Sequence, residues 1–296
     1  MSTRKNYHGE RDSCFFRLRS RAKLARLLFC SQAKLEDISS KSENLYFSFP
    51  QPKKSGGFRT INAPRDDLKA IQKRIADLLQ RIIPPEFLFA PVSGRSYVDN
   101  AARHLGARAV RLLDIEDFFP SCTANRVIWF FRTRMECSPD VAAILRGLVT
   151  LNNCLPQGSP CSPILAYLCY VDMWERVDRL VQQAGCTLSV YADDLTISGL
   201  VVPESMIWEI KKTLRRYGHR YNLKKERSRI HRPTEITGVV LVRERLLLPN
   251  RQHKKMYEVR EAIKKTNVAV IRDKLDKQLR GRRAQAMQVR SRAQRT

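Results

Sequence analysis

The chain has 296 residues, 43% of them hydrophobic, and carries 55 Lys and Arg against 29 Asp and Glu for a formal net charge of +26. The length supports a sizeable core in several subdomains, and the charge exceeds what solubility needs, pointing to a polyanionic partner, nucleic acid before an acidic membrane. No apolar run reaches a membrane span and the start of the chain lacks a signal-peptide pattern, so a cytoplasmic protein with no membrane partner is expected; eight cysteines without a Cys-x-x-Cys pair predict reduced thiols rather than disulfides or structural zinc.

Residues 1 to about 36 are basic and carry Phe15, Phe16, Leu18, Leu24, Leu27 and Leu28 at roughly helical spacing, which predicts an amphipathic helix with a cationic outer face. Asn44 to Pro50 alternates like a strand, and Lys53 to Ile61 reads as a glycine turn into a second strand, placing Arg59, Lys53 and Lys54 on a hairpin. Asn62-Ala63-Pro64-Arg65 leads into a helix whose Leu68, Ile71, Ile75, Leu78 and Ile82 share one face until Pro84-Pro85 stops it. That stripe is core. Asn100-Ala101-Ala102-Arg103-His104 follows, by itself an ordinary polar helix start.

Val110 to Leu113 read as a buried strand with Asp114 at its end, and Glu116 and Asp117 beyond it are taken as structural. Ser121 or Thr123 can cap a helix carrying Val127, Ile128, Phe130 and Phe131, and Ser138-Pro139 starts another. Leu155 to Pro163 is a small polar loop leading into a long amphipathic helix with Ser162 as N-cap. Leu188 to Gly199 forms two β-prone runs around Tyr191-Ala192-Asp193-Asp194, so a tight turn presents both carboxylates at its tip. An isolated Asp-Asp is usually just a polar turn, but two repelling acids here, with a third at Asp114, make sense if a cation neutralises them, magnesium being the natural one.

Pro203 opens a helix that ends near Gly218, Tyr221 to Lys225 follows, and Glu235 to Val242 is a strand with a glycine interruption to which Leu246 to Pro249 returns. From Arg251 onward fifteen Lys and Arg face four Asp and Glu on a largely helical pattern. The stretch from Arg280 has few apolar residues and is expected to be disordered without RNA.

An aspartate–aromatic block (Asp114 to Phe119), then Leu155-Pro156-Gln157-Gly158-Ser159-Pro160, then Tyr191-Ala192-Asp193-Asp194, in that order, resembles the reverse transcriptases. Asn100-Ala-Ala-Arg-His104 and Ile236-Thr237-Gly238 look like motifs that distinguish the retron enzymes among them, with Ile236 departing from a usual valine. The resemblance implies an α+β right-hand polymerase fold with fingers, a palm whose antiparallel sheet is backed by helices, and a helical thumb. The expected division is a basic helical segment over 1–36, fingers with palm elements over 37–109, palm over 110–242 and basic thumb over 243–296.

It further implies an RNA-directed DNA polymerase in which Asp114, Asp193 and Asp194, with Ile115, hold two Mg2+ ions. Arg59, Ile115, Phe119, Gln157, Gly158 and Lys225 are expected at the nucleotide, Phe119 as the gate against a 2′-hydroxyl and Lys225, in preference to Lys224, near the leaving pyrophosphate. Asn100, His104, Thr237, Gly238, Lys254 and Lys255 are expected at the RNA. The implied partners are dNTPs, a cognate structured noncoding RNA, its branched RNA-linked DNA product primed from a 2′-hydroxyl, and an effector or toxin protein in antiphage defence. A group II intron-like or other stand-alone bacterial reverse transcriptase is the nearest alternative, and a non-catalytic RNA-binding protein the alternative of another class.

Overall fold

The computed structural model describes residues 6–53 and 56–293; Lys54 lies outside the described residues. The basic N-terminal stretch is not one helix. Ser20 and Ser31 each accept a hydrogen bond from the backbone three residues on, so two caps start two helices, α1 (Arg21–Leu27) and α2 (Gln32–Lys41). The apolar residues still do what their spacing suggests, since Phe15, Leu18, Leu24 and Leu28 are buried in the main core.

Strands β1 (Tyr46–Pro52) and β2 (Phe58–Pro64) form the expected antiparallel hairpin. Helix α3 (Asp66–Leu79) buries the predicted stripe and stops five residues before Pro84. After β3 (Leu88–Ala90), Ser96 and Asp99 build a reciprocal capping box that opens the short α4 (Tyr97–Ala102).

Strand β4 (Ala109–Glu116) carries Asp114 two residues before its end. Beyond it come α5 (Phe118–Ser121), α6 (Ala124–Trp129), which Thr123 caps, and α7 (Pro139–Val149). The single long helix expected after Pro163 is two, α8 (Ser162–Leu168) and α9 (Val171–Gln183). Cys161, not Ser162, is the N-cap, because the Ser162 hydroxyl donates instead to the Pro156 carbonyl and ties the preceding loop together.

Strands β5 (Thr187–Tyr191) and β6 (Asp194–Gly199) make the predicted acidic hairpin, followed by α10 (Glu204–Arg216), β7 (Arg220–Tyr221) and β8 (Arg227–Ile230). These join one six-stranded sheet in the order β3-β5-β6-β4-β7, with β8 also on β4. Its pairs are antiparallel except β3 with β5. One face of it, bearing Leu113, Ile115, Leu188, Val190, Leu195 and Ile197, packs into the core with α8, α9 and α10. The opposite face carries Asp114 and Asp194, and on it small buried hydroxyls, Ser189, Thr196 and Ser198.

The strand predicted over Glu235 to Val242 is two. Thr237 and Gly238 both have positive φ and turn β9 (Thr234–Ile236) into β10 (Val239–Val242), with β11 (Arg245–Leu247) returning beside it. The chain ends in a helical pair, α11 (Asn250–Lys265) and α12 (Ala269–Ala293). The disorder expected from Arg280 is not found through Ala293: Val289 is 1% exposed, in a cluster with Val98, Ala101 and Ile236. Val289 there, and Leu279 packed with Met256 and Val259 of α11, anchor a helix whose composition alone does not. No described helix is long and apolar enough to cross a membrane, and all eight cysteines are free.

Candidate active site

Two adjacent strands set the centre of the site. Asp114 on β4 is directly opposite Asp194 on β6, and Tyr191 pairs with Asp194 so that Ala192 and Asp193 alone make the turn. Ala192 has φ +57°, a left-handed conformation that costs an L-residue about 1 kcal/mol. The Ile115 amide donates to the Asp193 carbonyl at 2.9 Å, holding that turn against β4.

Like charges directly opposite across a ladder destabilise it, and the carboxyls register this. Burial first, then the charge of Asp114, raises Asp193, with Lys225 and Arg59 opposing. Burial first, then Asp193 and Asp114, raises Asp194 to about 7. Lys225 Nζ donates to Asp114 Oδ2 at 2.8 Å; burial draws its ammonium down, but the hydrogen bond and charge of Asp114 outweigh this and leave it raised.

Asp114 opens onto two clefts. The first, of about 820 Å3, brings Asp114, Ile115, Phe119, Asp193 and Lys225 together with Arg59 and Gln157. The loop is fixed there to the hairpin and to α3, because the Asn62 amide donates to the Gln157 carbonyl at 2.7 Å and Ser159 Oγ donates to Gln72 Oε1 on α3 at 2.6 Å. Arg59 Nε donates to Gln51 Oε1 at 2.8 Å. Gly158 does not line this cleft. Its φ is +128° and a Cβ there would stand 2.8 Å from the Asn62 carbonyl oxygen, so the glycine is needed for the loop to close on β2. Asn222, not foreseen from the sequence, lines the cleft, and its amide donates to the Asp114 carbonyl at 2.8 Å.

Phe119 sits on α5, a turn clamped from behind. Ser121 Oγ donates to the Phe118 carbonyl at 2.8 Å and so accepts from His219 Nδ1 at 2.7 Å. Tyr170 Oη donates to the Ser121 carbonyl at 3.1 Å. His219 is fully buried, and burial first, then Arg126, lowers it to about 4. Nothing in the sequence marked His219; a histidine between a helix end and a short strand carries no local signal.

The second cleft, of about 510 Å3, is lined by Asp114 and Asp194 with Arg227, Lys225, Thr237 and Gly238, and by Arg251, which pairs with Glu235. Asp193 and Asp194 therefore serve different sides of Asp114. Two residues expected at RNA are interior. Asn100 and His104 are each 1% exposed. Asn100 Nδ2 donates to Thr237 Oγ1 at 3.2 Å, and Thr237 Oγ1 donates to the Tyr97 carbonyl. His104 bridges Ser198 Oγ and Ser189 Oγ, each at 2.7 Å, and burial, then Arg103, lowers it to about 3. The motif thus binds α4 to the sheet and to the β9–β10 turn; Asn100 and His104 offer RNA no free surface. Lys254 and Lys255 are exposed on α11.

The donors suit a hard divalent cation, since they are all oxygen, mutually repelling, and already attract the Lys225 ammonium. Among the described residues no three His, Cys, Asp or Glu converge into a finished metal cage.

A sheet with acids on adjacent strands, a hairpin and loop closing over one side, and a cationic helical pair on the other is the right-hand polymerase architecture. A family model for reverse transcriptase (RNA-dependent DNA polymerase) matches residues 51–241, and the chain belongs to that family. It is similar to the Retron Se72 reverse transcriptase of Salmonella heidelberg (strain 579083-10), 40% identical over 141 residues that cover 47% of this chain and 37% of that one. It is similar also to the Retron Mx65 reverse transcriptase of Myxococcus xanthus, 33% identical over 66% of this chain and 51% of that one, and to the Retron Ec86 reverse transcriptase of Escherichia coli, 35% identical over 47% and 44%. The chain thus spans about half or less of the length of these relatives. Among solved structures, a foamy viral protease-reverse transcriptase in complex with double-stranded DNA aligns over 87% of this chain and 39% of its own at 15% identity and a TM-score of 0.43.

Proposed function

We propose that this chain is a retron-type reverse transcriptase that copies a cognate structured RNA into branched, RNA-linked single-stranded DNA, primed from a 2′-hydroxyl of that RNA, in antiphage defence. The observation that carries the polymerase reading is the cleft in which Asp114 and Asp193 face Arg59, Gln157, Phe119 and Lys225. The retron type is supported by the similar relatives and by the two motifs, which meet each other at the Asn100–Thr237 contact.

Asp114 and Asp193, with Asp194 behind and the main chain at Ile115, are the residues that would hold Mg2+. Bound there, the metal would lower the pKa of the primer hydroxyl and neutralise charge on the triphosphate. Arg59 supplies a fixed guanidinium to the phosphates. Phe119 bounds the sugar, and Lys225 is positioned to leave Asp114 and donate a proton to the departing pyrophosphate. The hairpin with α3 serves as fingers, the six-stranded sheet as palm, and α11 with α12 as thumb.

The test is primer-free incubation of the purified chain with the RNA that co-purifies with it and dNTPs. DNA joined to RNA through an alkali-resistant branch is expected, because a 2′-linkage removes the hydroxyl that alkali uses. Equal copying of every annealed primer–template, with that RNA ignored, would leave a reverse transcriptase that is not of the retron type.

A further inference from the structure

Lys225 and Glu226 are neighbours in sequence that serve opposite faces of the palm sheet. Arg227 on β8 pairs with Leu112 on β4 and so shares the face of Asp114. Lys225, two residues back, reaches that face too, with its Nζ on Asp114 Oδ2. Glu226 turns to the other face, on which α10 packs. There its Oε1 accepts from Arg111 Nη1 at 3.1 Å and from Lys211 Nζ at 2.9 Å, and its Oε2 accepts from Lys211 Nζ at 2.8 Å. Arg111 is on β4, three residues before Asp114, and Lys211 is on α10.

Burial separates the two neighbours further. The side chains of Arg111, Glu226 and Lys211 are 10%, 13% and 14% exposed, whereas that of Lys225 is 52% exposed. Water screens the first three charges little, so the clamp is firm, and it leaves the lysine stem free to change rotamer.

The turn is held from its other end as well. The amides of Lys225 and Glu226 both donate to the Asn222 carbonyl at 3.1 Å, the Lys224 amide donates to Asn222 Oδ1 at 3.1 Å, and the Asn222 amide donates to the Asp114 carbonyl at 2.8 Å. Both ends of the turn over 222–226 are thus referred to β4, the strand that carries Asp114. Arg111 also pairs with Glu204 at the start of α10, so strand and helix are joined without Glu226. What Glu226 adds is the turn.

We propose that Glu226 is a positioning residue for the polymerase reaction: clamped between Arg111 and Lys211, it fixes the root of Lys225 so that the ammonium passes from Asp114 to the departing pyrophosphate while the turn stays still. This rests on the reverse-transcriptase reading and on Lys225 as the proton donor within it. A misplacement of about 1 Å at the root of such a group is enough to cost on the order of 10²-fold in rate.

The test is single-turnover extension of a primer annealed to an RNA template by the full chain, with dNTP titrated. Glu226→Gln keeps the shape of the side chain and removes its charge. Its maximal rate is expected to fall about 10- to 100-fold, with the dNTP concentration for half-maximal rate within about twofold of the parent's. In a Lys225→Ala background the same change is expected to cost less than about twofold, because a residue that acts through Lys225 has nothing left to act on. Lys211→Met loosens the clamp from its other side while keeping an apolar stem over the Tyr221 ring; the same pattern is expected of it, and it carries the test should Glu226→Gln not fold. An equal loss in both backgrounds makes the clamp a structural tie and overturns the proposal, as does a Glu226→Gln chain as fast as the parent. Lys225→Ala at the parent's rate removes the donor and the proposal with it. A parent chain that extends no primer sinks the reading beneath, whereas extension by the parent with both clamp variants unaffected sinks the clamp alone.

Discussion

Lys225 Nζ stands 2.8 Å from Asp114 Oδ2, an ammonium seated on the carboxylate that both active-site clefts share. The same lysine is the candidate proton donor, so it must leave Asp114 when the divalent cation and triphosphate arrive. Lys225→Ala removes both functions at once, and they separate kinetically. The Mg2+ concentration for half-maximal incorporation is expected to fall, since a competing cation is gone, while kcat drops by about 10²- to 10⁴-fold. A variant needing more magnesium than the parent would show that Lys225 does not compete with the metal.

Burial, then the charges of Asp193 and of Asp114 across the ladder, raise the Asp194 carboxyl to about 7. A raised carboxyl pKa gives stability that is present below the unfolded value, near 4, and lost as pH rises through the folded one. In metal-free protein at pH 8, Asp194→Asn should therefore raise Tm by about 2 °C or more, after allowance for solvent screening because the side chain, though closely surrounded by protein, opens onto the second cleft, and should gain nothing at pH 4. Asp193→Asn with Asp194→Asn should abolish dNTP incorporation yet leave RNA affinity nearly unchanged, because acids hold metal and basic surfaces hold phosphate. Thermal scans at the two pH values, with single-turnover assays, check both statements.

Phe119 reaches the cleft from a turn whose Ser121 is held by His219 and Tyr170. Removing the ring should raise rNTP relative to dNTP incorporation on the order of 10- to 100-fold in Phe119→Ala. Removing its support in His219→Ala should move the same ratio less far. An rNTP/dNTP ratio unmoved by Phe119→Ala in a single-nucleotide assay ends the gate assignment.

What the sequence made legible, and what it hid, follows from how local each signal is. Asp114, Asp193 and Asp194 were readable because strand alternation and a two-residue turn fix where they point, and the α3 stripe because its period is local. Hidden was the division of labour between Asp193 and Asp194, which depends on the strands that wall each side. Hidden too was the burial of Asn100 and His104, since their partners Thr237, Ser189 and Ser198 lie 85 to 137 residues away. The break between α8 and α9 escaped because apolar residues continue through Cys169 and Tyr170.

His104 gives a stability test with the opposite sign to Asp194. Its folded pKa is lowered to about 3, so the stability it contributes is present above the unfolded value near 6.5 and is lost as pH falls toward 3. His104→Ala leaves the Ser189 and Ser198 hydroxyls buried without this partner and should cost about 2–4 kcal/mol at pH 7. The gap to the parent should narrow by pH 5, where only the parent has begun to lose that contribution. Urea titrations at the two pH values measure it, and a constant gap would mean the imidazole is not held neutral.

The C-terminal helical pair gives the last test, because two different forces bear on it. Val289 packs with Val98 and Ala101, and Arg292 stands 2.9 Å from Asp99, so α12 is docked on the helix that also carries Asn100. Lys254 and Lys255 project from α11 toward solvent. Lys254→Gln with Lys255→Gln should weaken RNA binding and flatten the salt slope by about two, without altering hydrogen exchange in residues 269–293. Val289→Asp buries a charge among apolar groups, so it should free α12: exchange over 269–293 rises toward that of an isolated helix, and selective self-priming falls while extension of an annealed primer survives. If Val289→Asp raises exchange yet self-priming persists, docking of α12 on α4 is structural only, and template choice resides in the cationic surfaces.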